Sequence, residues 1–361
     1  MAYIIAVELI IVYGFVIFLT NIKASFNTKK TVFLTLSFLT LALIMGLRAV
    51  NVGLDTNAYK IKFDIISEKS FGDLFSGFYY EGIEIGYVLL MKFVSLIGGN
   101  YLMFQILTSF LYCFGMAAFI RDNTGDPFTA VSLFMGTGLF LFALNGARQM
   151  FAVMLIANSW TYLKNKNYAA SVALFLVSIF IHLTSIVFLL VYFCYFLRNR
   201  ENVINFVPLV LLVCALFYKE IAYIISCVFP KYKSYLNFIG QGQDVGFVVI
   251  VWYIIVTFSL YIIYGKKKFY EKGKFNSIDK TIAIFSFTYF LLYALSASLR
   301  YIDRVAWFFM PFLLILFETV GKGIEKTKWK NLYFFGLNIC FVVYFLISTN
   351  SEQYIYSIFQ V

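Results

Sequence analysis

The chain has 361 residues, of which 62% are hydrophobic and only 13% charged, with a mean hydropathy of +0.85. A soluble globular protein carries about a quarter charged residues, so that class is excluded and an integral membrane protein is expected. The net charge of +11 does not point to nucleic acid, because the lysines cluster in short loops between apolar runs, the pattern of cytoplasmic loops.

A bilayer core roughly 30 Å thick takes about 20 apolar helical residues. The first such run is 2–20. It has no basic region before it and no small-residue cleavage site after it, so it reads as a span and not as a cleaved signal peptide. Others lie at 31–47, 101–120, 128–144, 147–163, 203–229, 245–264, 281–297, 304–320 and 331–348. With two arms in 168–197, the expected fold is all-α, a single polytopic transmembrane domain over 1–361 with about 12 transmembrane helices.

Between the second and third runs, 48–100 is expected to be an outer loop followed by an interfacial helix. The segment 83–98 is short for a crossing, contains Lys92 and ends in Gly98-Gly99-Asn100, so it reads as re-entrant or interfacial. The aromatic group Phe75, Phe78, Tyr79 and Tyr80, beside Glu81 and Glu84, fits either a sugar-stacking surface or an interfacial aromatic belt.

The stretch 168–197 is too long for one crossing and too short for two. Lys164 and Lys166 precede it and Arg198 and Arg200 follow it, so the positive-inside rule makes it a broken hairpin with its tip near His182. Each arm rises only about 21 Å, which sets His182 below the outer surface in a watery recess. The same count puts the N-terminus, the 48–82 loop, Asn145 to Gln149, the 230–244 loop, Arg300 to Arg304 and the C-terminus outside. The 230–244 loop, with Gly240, Gly242 and Gly246 around Gln241, Gln243 and Asp244, has the composition of a lid or of a plain surface loop.

Costly polar residues thereby gather on one side. Arg148 and Gln149 open an apolar helix after Leu144-Asn145-Gly146, where free backbone donors and a guanidinium suit a pyrophosphate; the bland alternative is a snorkelling arginine. His182, the one histidine, lies in an apolar run and is either a satisfied core residue or a general base for a sugar hydroxyl. Arg300, Asp303 and Arg304 share a helical face, as an internal ion pair or a phosphate site with Asp303 toward substrate. Arg48 is a phosphate contact or the partner of Asp55, and Asp55 assists the base while Tyr59 contacts sugar.

A single histidine cannot build a His-based metal site, and the five cysteines (Cys113, Cys194, Cys214, Cys227, Cys340) lie inside apolar runs as packing residues. Neither a metal nor a soluble cofactor is expected. Nucleotide-binding, nucleophile-elbow and zinc-protease motifs do not occur, and no paired-carboxylate glycosidase site is evident.

Three stretches resemble the EpsG family, whose members are multispanning bacterial proteins related to Wzy-type polysaccharide polymerases. They are R-x-x-N-V-G-x-D-T-x-x-Y from Arg48 to Tyr59, N-x-x-R-Q from Asn145 to Gln149, and H-x-T-S from His182 to Ser185. R-Y-I-D-R-V-A-W-F-F-M-P, from Arg300 to Pro311, is similar to the family's late Arg and aromatic region. The resemblance implies a glycosyltransferase joining undecaprenyl-pyrophosphate-linked oligosaccharide repeat units at the outer face of the bacterial cytoplasmic membrane, for exopolysaccharide, capsule or O-antigen. A flippase and a chain-length regulator of the same pathway are the implied protein partners.

On this view His182 and Asp55 are catalytic. Arg148, Arg300, Arg304 and Arg48 bind pyrophosphate, and Tyr59, Gln149, Asp303 and Asn145 bind substrate. Direct displacement would invert the anomeric centre. Two alternatives stay open: a ligase-like or single-addition transferase on the same lipid donor, and a flippase or exporter of lipid-linked sugars.

Overall fold

A computed structural model of the chain describes residues 1–20, 23–74, 79–80, 82–228, 233, 236–237, 239–241 and 276–359. The expected span at 245–264, most of the 230–244 loop, and Phe75, Phe78 and Glu81 lie outside the described residues. The described part is helical apart from one two-stranded ladder, β1 (Tyr79–Tyr80) with β2 (Ile83–Glu84). Six described helices are long and apolar enough to cross a membrane, or eight if each of two bent pairs counts as one span.

Contacts divide the chain into two compact units, residues 1–186 with 334–361, and residues 187–333. The first holds α1 (Ala2–Gly14), α2 (Phe26–Gly46), α3 (Thr56–Glu68), α4 (Phe71–Leu74), α5 (Ile85–Leu96), α6 (Tyr101–Asn123), α7 (Pro127–Gly136), α8 (Leu139–Asn145), α9 (Ala147–Lys164) and α10 (Tyr168–Ile181). The second holds α11 (Leu189–Leu197), α12 (Glu201–Leu216), α13 (Tyr218–Val228), α14 (Ser277–Leu295), α15 (Ile302–Ala306) and α16 (Pro311–Gly323). Helix α17 (Thr327–Ser348) starts in the second unit and continues into the first.

Helix starts follow local chemistry. Ser25 accepts from the Thr28 amide before α2, Asn100 does the same before α6, and Asp126 precedes Pro127 at the first position of α7. Along α17, Leu332, Phe335, Ile339, Val343 and Ile347 are all exposed at helical spacing, the apolar stripe that lipid accepts and water does not. In the first unit α2 packs along α6, and α9 lies between α6 and α10.

The expected outer loop at 48–100 is largely helical, since α3, α4 and α5 all fall within it. Helix α5 has 12 residues and rises about 18 Å, too little to cross a core of roughly 30 Å. The 168–197 stretch breaks at His182, whose φ of −156° and ψ of 111° end α10, and a 3-10 turn over Leu183–Phe188 leads into α11. Cys113 and Cys194 are buried packing residues. Cys214, Cys227 and Cys340 are exposed on their helices, which corrects the expectation that all five pack inside.

The two ends of the first unit differ in chemistry. At one, Lys30 Nζ donates to the Arg121 and Thr124 carbonyls, and Lys164 Nζ donates to the Asp122 carbonyl and Asn123 Oδ1. Helices α2 and α9 run from that end to the other, where Arg48, Asn145 and Arg148 sit.

Candidate functional site

Glu84 is the centre of a charged cluster in the first unit. It ends β2, is 2% exposed, and faces two residues far away in sequence. Arg148 Nη1 donates to Glu84 Oε2 at 2.5 Å and to the Gly82 carbonyl at 3.2 Å. His182 Nδ1 lies 3.4 Å from Glu84 Oε1, and the Leu183 amide reaches the same oxygen at 3.4 Å. Burial alone would raise the Glu84 carboxyl, but the contact with His182 and the charge of Arg148 outweigh it and hold the group at about 2. Glu84 is therefore a carboxylate at any ordinary pH.

Backbone contact brings these residues together. A Cβ at Gly86, two residues beyond Glu84, would stand 2.7 Å from the Phe180 carbonyl carbon and oxygen, so only glycine lets α5 lie this close to the end of α10. Two tyrosines flank the cluster. Tyr59 hydrogen-bonds with Arg148, and its ring lies 5.8 Å from that of Tyr87, which is 1% exposed. Asp55 precedes α3 one turn before Tyr59 and is half-buried, and its carboxylate has no hydrogen bond or ion pair among the described residues. Gln149 is buried next to Arg148.

Arg48 is placed differently. It is 2% exposed and donates to the carbonyls of Met45, Val52 (3.3 Å) and Leu144 (3.4 Å) and to Thr56 Oγ1 (3.4 Å). Its partners are thus three backbone oxygens and the Thr56 hydroxyl, and Asp55 is not among its partners. Gly53, at φ +91° and pressed on the Leu144 carbonyl, makes the turn that closes this nest.

Asn145 is likewise used inside the protein. Its Oδ1 accepts from the Leu54 amide at 3.0 Å, and its Nδ2 donates to Gln353 Oε1 at 3.3 Å and Tyr354 Oη at 2.8 Å. Both amide protons therefore bond within the protein.

The C-terminal segment straps this nest. Ala49 N donates to Ser357 O and Phe359 N to Leu47 O, both at 2.8 Å, and Gly53 N donates to Gln353 O at 2.9 Å. Nothing in the local sequence announced the strap, because the pairing joins residues some 300 apart.

In the second unit, Arg300 and Arg304 are exposed and set their guanidinium carbons 5.0 and 4.9 Å from the centre of the Tyr301 ring. Tyr301 has φ +73°, a strained value for a tyrosine. Asp303 is buried and its Oδ1 has no hydrogen-bond partner among the described residues.

Sequence reasoning placed Arg148, His182 and Tyr59 in the site but left out Glu84. The available signal was a carboxylate in apolar Ile83-Glu84-Ile85, where a buried charge needs a partner. Among the described residues, no three His, Cys, Asp or Glu side chains converge as metal ligands.

A family model described as the EpsG family matches residues 31–359. The chain belongs to the EpsG family. Membership in EpsG suggests a membrane polysaccharide polymerase, consistent with a glycosyltransferase-type reaction, and the many apolar helices agree with a membrane protein. No curated protein and no solved structure matches this EpsG-family chain significantly.

Proposed function

We propose that the chain is a membrane glycosyltransferase that polymerises oligosaccharide repeat units carried on undecaprenyl pyrophosphate, at the outer face of the bacterial cytoplasmic membrane. The products are exopolysaccharide, capsule or O-antigen chains. The observation that carries the proposal is the meeting of Arg148 and His182 on Glu84, at the end of the first unit opposite Lys30 and Lys164. The positive-inside rule, applied to the short loops with Lys23, Lys29, Lys30, Lys164 and Lys166, turns that end to the cytosol, so the cluster faces out. About 12 crossings are retained: the six to eight counted above, joined by α9, by the two arms of 168–197 and by 245–264.

In the reaction, His182 takes the proton of the acceptor hydroxyl, whose oxygen attacks the anomeric carbon as the bond to the diphosphate breaks. The anomeric centre inverts, and neither a metal nor a soluble cofactor takes part. Arg148 supplies positive charge as the diphosphate leaves, and Tyr59 and Gln149 contact sugar. Asp55, one helical turn from Tyr59, assists from the head of α3. In the second unit Arg300 and Arg304 are assigned to diphosphate and Asp303 to substrate. A flippase and a chain-length regulator of the same pathway are the proposed partners.

The test is elongation by His182→Ala, assayed on a gel of lipid-linked products. The variant should insert at normal levels and give no ladder. A ladder of wild-type length would remove His182 from the chemistry. A single added unit from the wild-type protein would turn the proposal into a single-addition transferase.

A further inference from the structure

We infer that Glu84 is the positioning residue of the site: it holds His182 with the proton on Nδ1, so that Nε2 is the nitrogen that receives the acceptor's proton. This deepens the proposed function and rests on His182 being the base.

A neutral imidazole exists as either of two tautomers, and a carboxylate facing one nitrogen selects the form with its proton there. Glu84 Oε1 stands 3.4 Å from His182 Nδ1, while the other oxygen, Oε2, is bound to Arg148 at 2.5 Å. The Leu183 amide gives the carboxylate a further contact, and at 2% exposure its orientation is set by these neighbours and not by water. Among the described residues, the groups at the cluster include Arg148 from α9, His182 from the end of α10, Tyr59 from α3, Tyr87 from α5, and Lys62 of α3 beside Gly82. Glu84 supplies the negative charge that these groups share.

The charges follow the reaction. Before transfer, Arg148 and Glu84 cancel and the imidazole is neutral. The acceptor O–H bond breaks with its proton going to Nε2, the oxygen forms a bond to the anomeric carbon, and the electron pair of the breaking carbon–oxygen bond leaves on the diphosphate. The cluster thus gains one positive charge as the leaving group gains negative charge, an interaction present in the transition state and absent from the ground state. Glu84 steadies the imidazolium without being protonated itself.

The chain has one histidine, so selective 15N-imidazole labelling of the full-length protein in detergent gives one pair of ring nitrogens. At alkaline pH the wild type should show Nδ1 protonated and Nε2 bare. Glu84→Gln should lose that preference and lower kcat about 100-fold, with KM little changed. Glu84→Asp, which keeps the charge at a shorter reach, should recover part of both.

A wild-type spectrum with the proton on Nε2, or a tautomer untouched by Glu84→Gln, would overturn the inference. The wild-type spectrum decides this even if Glu84→Gln fails to fold. Should the spectra behave as expected while His182→Ala still elongates polymer, the proposed base is wrong and a catalytic role for Glu84 falls with it. The two failures are therefore distinguishable.

Discussion

Arg48 and Arg148 look alike in sequence. Each sits where an apolar helix meets a polar turn, and both lie at the same end of the first unit. They nevertheless do opposite work. Arg48 is sealed in and spends its donors on the carbonyls of Met45, Val52 and Leu144, tying the turn after α2 to the end of α8. Arg148 keeps 17% of its side chain exposed and meets a carboxylate that also holds the only histidine. An arginine that finds only carbonyls and a hydroxyl is scaffold, whereas one that finds a buried acid beside a titratable ring has the makings of chemistry.

The largest effect should come from breaking the scaffold. Arg48→Ala removes a buried guanidinium's bonds to the Met45, Val52 and Leu144 carbonyls, leaving the last two to share the Thr56 hydroxyl, and should cost on the order of 3 to 5 kcal/mol, read as lost folded yield and a lower Tm in detergent. A variant of normal stability that makes no polymer would move Arg48 back into the site.

Next is the acid limb of stability, which should belong to Glu84 and not to Arg48. The folded Glu84 group sits at about 2, below its ordinary 4.5, so its contribution is present above the ordinary value and lost as pH falls through the folded one. That loss is about 3 kcal/mol, and in Glu84→Gln the melting temperature should fall less steeply between about pH 5 and pH 2.

Gly86→Ala pushes a methyl group into the Phe180 backbone and should cost about 1 to 3 kcal/mol. It should also pull Glu84 from His182, so turnover should fall more than stability does. Equal losses would mean that the approach of α5 to α10 serves packing alone. The smallest effect is expected at the strap's exposed edge. Ser357→Ala removes one bond to Asn51 and should change stability by no more than about 0.5 kcal/mol, with activity unchanged.

Much of this was legible in one dimension. Apolar runs and lysine-rich loops identified a helical membrane protein, and the break at His182 and the short α5 before Gly98-Gly99-Asn100 followed from length and turn residues. The polar stretch from Arg48 to Tyr59 announced itself by its cost among apolar neighbours. What the sequence did not announce was which polar residues bond inside the protein: the donors of Arg48, in that stretch, and of Asn145, outside it, are used by the protein's own oxygens.

Composition and periodicity by themselves determined that this chain enters a membrane as helices, because an apolar run has no other stable way to satisfy its backbone there. The tertiary structure alone decided that Glu84, and not Asp55, meets Arg148 and His182, and that the C-terminal strap closes over the Arg48 turn. Those partners lie 64, 98 and some 300 residues apart. Local patterning fixes which face of a helix is apolar, but it holds no information about which distant polar atom will satisfy a buried charge.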